Sequence, residues 1–307
     1  QGISYSVDDK VKIVEKLDAL GVHYIEAGNP GSNPKDLEFF ERVRGMKLKN
    51  AKLIAFGATR KIGIKAEDDG NVRSILAAGT DAVAIFGKSW DYQVTEILRT
   101  KLDENLRMIG DTLRHLKQQG KEVVYDAEHF FDGFKANPDY ALATLKAAAD
   151  AGADCLCLCD TNGGTFPDVI FAITQKVAAQ FKTPIGIHCH NDCEMAVANS
   201  GMAVQAGATQ VQGTINGIGE RCGNANLCSI IPDLQLKLGF ACIPPQNMAT
   251  LTTVARAVSD IANMPHNEKA AYVGADAFAH KGGMHVDALV KNPVSYEHID
   301  PDLVGNS

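Results

Sequence analysis

The sequence has no Cys-x-x-Cys pair, no long apolar run, no excess of basic charge and no low-complexity segment. Each absence excludes something. With 37 acidic against 30 basic residues the net charge is −7, so nothing marks nucleic acid as a partner. No apolar stretch nears the roughly 20 residues that a helix needs to cross a bilayer, and no signal-peptide pattern opens the chain. The expectation is a cytoplasmic protein with no membrane partner. Eight cysteines are present, but their spacing fits neither a redox motif nor a zinc knuckle. Cys155, Cys157 and Cys159 alternate along a short strand and therefore share one face; they read as reduced packing residues, since a thiol is a small hydrophobe.

What is there is a strict alternation of strand-like and helix-like segments. Seven brief runs rich in β-formers lie at 22–27, 51–57, 81–86, 121–126, 154–159, 184–189 and 210–215. Amphipathic segments at 8–20, 34–43, 103–119, 139–151 and 192–206 read as helices between them. Gly21, Gly79, Gly152 and Gly207 stand where left-handed helix caps belong. Parallel strands joined by helices form a closed (β/α)8 barrel or an open doubly wound sheet. The barrel is favoured, because about 240 residues carry the pattern without a break and polar residues follow nearly every strand. A barrel needs eight strands, so the first is expected before Gln1. The barrel is assigned to 1–243. Residues 244–307 read as a helical appendage, with helices at 248–262 and 275–290 and a punctuated tail.

Barrel active sites lie at the C-terminal ends of the strands. Those positions carry Glu26, Thr59, Arg60, Lys88, Ser89, Asp126, Glu128, Asp160 to Asn162, His188, His190 and Asn216 to Asn224. On a strand, His188 and His190 point the same way. Two neutral imidazoles on one face can hold a divalent cation if oxygen ligands complete the set; they equally suit a hydrogen-bonded pair in a pocket. Glu128 taken alone is a loop carboxylate, and Thr161 fits a turn before Gly163. Asn224 is placed to offer an amide oxygen or a helix cap. Glu220 and Arg221 read as a local ion pair, and Asn191 with Glu194 as a capping box for the next helix.

The segments His188-x-His190-Asn191-Asp192, Gly213-x-x-Asn216-Gly217-x-Gly219-Glu220-Arg221-x-Gly223-Asn224, Asp160-Thr161-Asn162-Gly163 and Ala277 to His285 together resemble the family of 2-isopropylmalate, homocitrate and citramalate synthases. The resemblance runs from end to end. Within the family, Gly28 to Asp36, Phe86 to Asp91 and Asp126 to Gly133 most resemble the branch that takes pyruvate to citramalate, in isoleucine biosynthesis. The resemblance implies an acyltransferase that condenses acetyl-CoA with a 2-oxo acid and then hydrolyses the thioester. It implies a divalent metal (Mg, Mn or Zn) on His188, His190 and Asn224, with an Asp expected before Gln1. It further implies Glu128 as a catalytic group, and His285 and Tyr296 as catalytic groups reaching in from the partner of a homodimer. Thr161, Asp126, Asn162 and Arg221 would bind substrate. Isopropylmalate and homocitrate synthases are the near alternatives. Lyases and aldolases on the same barrel are more distant, since they lack a tail like 275–305.

Overall fold

The computed structural model describes residues 2–307. Its sheet has seven parallel strands in sequence order: β1 (Tyr24–Gly28), β2 (Lys52–Ala58), β3 (Ala82–Lys88), β4 (Glu122–Glu128), β5 (Cys155–Asp160), β6 (Ile185–Cys189) and β7 (Gln210–Gln212). All seven expected strands are present. The helices of the barrel are α1 (Val7–Leu20), α2 (Pro34–Arg42), α3 (Gly70–Ala77), α4 (Leu102–Gln118), α5 (Phe130–Ala136), α6 (Pro138–Asp150), α7 (Pro167–Gln180), α8 (Ala196–Gln205) and α9 (Leu227–Pro232). They are followed by α10 (Leu251–Ile261) and α11 (Gly283–Lys291). The fold is a TIM-barrel-like α/β structure with a C-terminal helical region. Among the described residues no helix is long and apolar enough to cross a membrane.

Local chemistry sets the element ends. Ser6 and Asp9 exchange side chain to backbone bonds at the start of α1, a full capping box. Gly21 closes that helix at φ 100°, a conformation that an L side chain resists. Gly79, Gly152 and Gly207 also take positive φ, as expected of caps.

The strands' period of two divides the core in two. On β5, Leu156 and Leu158 face the helices and join the large outer core, whereas Cys155, Cys157 and Cys159 face the lumen with Ile54, Ala82, Ala84 and Val124. All three thiols are free, so the packing role read from the sequence holds. A further cluster ties α10 to α1 and α9 through Leu20, Cys228, Leu251, Val254 and Val258.

Two helix boundaries depart from the sequence expectation. The sixth-strand helix starts at Ala196 rather than Asp192. Glu194 sits at φ 60° and cannot continue a helix, so no capping box forms with Asn191. The Asn191 side chain instead accepts from the Ala196 N–H at 3.2 Å. In the appendage the expected helix at 275–290 is reduced to α11. Residues 275–282 are held in turns, with Asp276 N–H bonded to the Glu268 carbonyl at 2.8 Å and the Phe278 ring stacked 5.9 Å from that of His298. Helix resumes only at the Gly282-Gly283 pair.

Candidate active site

Register puts the polar strand ends in one layer. His188 pairs with Cys159 on one side and Gln212 on the other, and Lys88 pairs with Glu128. After β7 the loop folds back over β6. Asn224 N–H bonds the Gly217 carbonyl at 3.0 Å and Ala225 N–H bonds the Cys189 carbonyl at 3.0 Å. Gly223 permits this turn: its φ is 95°, and a Cβ there would lie 2.0 Å from the Gly217 oxygen. The outcome is that Asn224 reaches the two histidines.

His188 is flanked by two amide oxygens, with Gln212 Oε1 2.8 Å from Nδ1 and Asn224 Oδ1 3.1 Å from Nε2. Neither amide is free to turn. Gln212 Nε2 donates to Asp126 Oδ1 at 3.0 Å and Asn224 Nδ2 to the Ile218 carbonyl at 3.2 Å. A neutral imidazole has one N–H. In the tautomer that donates to the nearer oxygen, on Gln212, the Nε2 lone pair of His188 faces the oxygen lone pairs of Asn224. Two lone pairs converging on one place suit a cation between them. His190 adds to this: its ring centroid is 5.2 Å from that of His188, and its buried Nδ1 has no hydrogen-bond partner. Burial, then His188 and Arg221, lower its pKa to about 4, so it stays the neutral imidazole that a metal requires. The donor set fits a divalent metal. Gln212 and Asp126 form a hydrogen-bonded chain behind His188, the kind of support that a ligating histidine would need.

Among the described residues, Asp126, Cys157 and Cys159 also bring donor atoms within 4.8 Å of one another. They are wholly buried in the lumen, and burial pushes the Cys157 thiol far up. A protonated thiol is a poor ligand, and this group offers no open side for a substrate.

The remaining candidates divide into those that face the lumen and those that do not. Glu128 Oε2 accepts from Lys88 Nζ at 2.7 Å. Glu26, exposed on β1, lies close enough to the Asp126 carboxylate for that charge to disfavour its own. Thr161 Oγ1 accepts the His129 N–H at 2.8 Å, which leaves its own O–H free to donate. Asn162 instead bonds Asp132 at 2.8 Å. Arg221 does not pair with Glu220. It grips Asp192 with Nε at 2.7 Å and Nη2 at 3.0 Å, and donates to the Thr161 carbonyl at 2.7 Å. Arg60 is nearly fully buried and turned outward to Glu104 at 3.0 Å and Asp111 at 2.8 Å. His285 and Tyr296 stack on each other with centroids 4.0 Å apart, on an appendage whose helix α11 buries no residue. Gln212 was not singled out by its sequence context. Its signal is the polar alternation Gln210-Val211-Gln212 on a strand whose lumen side would otherwise be apolar.

Residues 1–261 match the HMGL-like family and residues 272–307 the homocitrate synthase post-HMGL domain-like family. The chain belongs to the HMGL-like family. It is 58% identical over its whole length to an (R)-citramalate synthase of Aquifex aeolicus and 55% identical to one of Geobacter sulfurreducens. The chain spans 58% of the length of each of these relatives. A 2-isopropylmalate synthase of Sulfolobus acidocaldarius is 33% identical over 99% of the chain and 76% of that relative. Among solved structures, a Bacillus subtilis HMG-CoA lyase superposes with a TM-score of 0.70 at 18% identity, covering 85% of this chain and 88% of that one. That likeness concerns the fold alone.

Proposed function

We propose that this chain is the catalytic part of an (R)-citramalate synthase, a cytoplasmic enzyme of isoleucine biosynthesis. Acetyl-CoA, pyruvate and water would give (R)-citramalate, CoA and a proton. The observation that carries the reading is identity: five (R)-citramalate synthases are 46–58% identical, above the 33–34% of a homocitrate synthase, a 2-isopropylmalate synthase and one more distant (R)-citramalate synthase.

In this reading His188, His190 and Asn224 would hold a divalent cation, which when bound would supply polarisation of the oxo acid's ketone. Gln212 takes the Nδ1 proton of His188 in a hydrogen bond and keeps the other nitrogen aimed at the cation. Asp126 fixes Gln212, so its role is orientation more than substrate contact. Thr161 binds the oxo acid carboxylate through its free O–H. Arg221 holds the Thr161 backbone, and Asn162 anchors the same turn through Asp132. Glu128 takes the proton from the acetyl methyl as its C–H bond breaks and the new C–C bond forms. His285 and Tyr296 come from the second subunit of a homodimer, carried by the 244–307 appendage that follows the 1–243 barrel.

The test is CoA release by the full-length protein with pyruvate, 2-oxoisovalerate and 2-oxoglutarate. The highest kcat/KM is expected with pyruvate. A higher value with either other acid replaces this reading with an isopropylmalate or homocitrate synthase.

A further inference from the structure

Lys88 is, among the described residues, the one lumen-facing lysine at the C-terminal end of the strands. Among the described residues, the lumen-facing strand positions carry two lysines: Lys52 pairs with Glu122 at the opposite end of the strands, and Lys88 stands at the C-terminal end of β3. The arginines beside the strand ends are committed elsewhere, Arg60 to Glu104 and Asp111, and Arg221 to Asp192. The carboxylate that Lys88 meets is not isolated: Glu26, Asp126 and Glu128 all lie close enough to Cys159 for their charges to raise its pKa. Lys88 Nζ is 2.7 Å from Glu128 Oε2, in the register position directly opposite, and both side chains are mostly shielded from solvent.

The backbone on both sides of this pair is pinned. Fully buried Asn105 donates to the Lys88 carbonyl at 2.9 Å and lies 3.0 Å from the Tyr140 hydroxyl, while Ser89 N–H bonds the Glu128 carbonyl at 3.2 Å. An unpaired carboxylate among other carboxylates has no reason to keep one rotamer. A shielded ammonium fixed on the neighbouring strand supplies one, since charge-assisted bonds are short and directional.

We propose that Lys88 is a positioning residue for Glu128. It holds one carboxylate oxygen, so that the other is presented to the substrates in a fixed direction. The inference rests on the reading of Glu128 as the proton acceptor. It differs from a role in binding the oxo acid, which would act through KM.

The test uses the full-length protein with Lys88→Met, Lys88→Arg, Glu128→Gln and the Lys88→Met/Glu128→Gln double variant. Lys88→Met should lower kcat at least tenfold and change KM for the oxo acid less than threefold, and Lys88→Arg should recover most of the loss. The double variant should be no worse than Glu128→Gln alone, as expected of residues that act as one unit. A rise confined to KM, or losses that multiply, would overturn the proposal. If pyruvate is not turned over, the same comparison is made with whichever oxo acid is, so failure of the substrate assignment is told apart from failure of this one. A crystal structure of Lys88→Met reads positioning without turnover: Glu128 should leave its present rotamer. A carboxylate that stays in place without Lys88 also overturns the proposal.

Discussion

Asp18 shows how one side chain fixes a connection far along the chain. Its carboxylate, nearly buried at the end of α1, accepts backbone N–H bonds from Lys49, Asn50 and Ala51 at 2.8 Å each. These set the path into β2. Burial alone would raise its pKa, but the three bonds, from Lys49, Asn50 and Ala51, outweigh burial and hold it below the ordinary carboxylate range. The unfolded chain therefore takes up this proton more readily than the folded one. The stabilisation is complete above the unfolded pKa of about 3.9 and is lost as pH falls through the lower folded value. Asp18→Ala leaves three backbone donors unsatisfied and should cost roughly 2–4 kcal/mol at neutral pH. Denaturant unfolding checks this. The gap between variant and parent should shrink as pH drops below about 4, and a gap that stays constant to low pH would show that the carboxylate charge is not the cause.

At the scale of elements, β6 and the loop after β7 together make the candidate metal site. The strand period brings His188 and His190 to one face, and the fold-back of 213–226 adds Asn224. His188→Ala removes the imidazole that Gln212 and Asn224 both address, while the outer face of β6, built from Ile185, Ile187 and Cys189, keeps its packing. Metal affinity, read by elemental analysis after dialysis against graded metal, should fall at least tenfold, since losing even a group that only supports a ligand costs roughly 10–100-fold, with circular dichroism unchanged. Unaltered metal content would sink the assignment. Much of this was legible beforehand, because i and i+2 on a strand face one way whatever the fold. The start of α8 was not. Glu194 takes a left-handed conformation so that Asp192 meets Arg221 and Cys193 N–H meets the Gly163 carbonyl, and such contacts between loops leave no mark on local sequence. Arg221 likewise chose Asp192, 29 residues away, over its neighbour Glu220.

At the scale of the whole molecule the appendage leaves apolar side chains uncovered. On α11 and just after it, Met284, Val290 and Val294 are 78%, 83% and 81% exposed, while Phe278 is already packed within its own chain. His285 and Tyr296 lie on this same segment. If they complete the site of a second subunit, a His285→Ala variant and a His188→Ala variant of the full-length protein should each lose activity. Mixed dimers formed by co-refolding should regain one intact site, about a quarter of the parent activity in a statistical mixture. Heterodimers without activity would show that each chain serves its own barrel.

The sequence by itself determined the seven strands, their parallel order, the inward thiols of β5 and the shared face of the two histidines. All follow from periods of 2.0 and 3.6 and from glycine caps, which act within a few residues. Only the tertiary structure decided that Gln212 stands between His188 and Asp126, that Lys88 meets Glu128, that Arg60 turns outward, and that residues 275–282 coil instead of extending α11. Those outcomes depend on which distant groups meet once the strands are in register, and the spacing of residues along the chain does not encode that meeting.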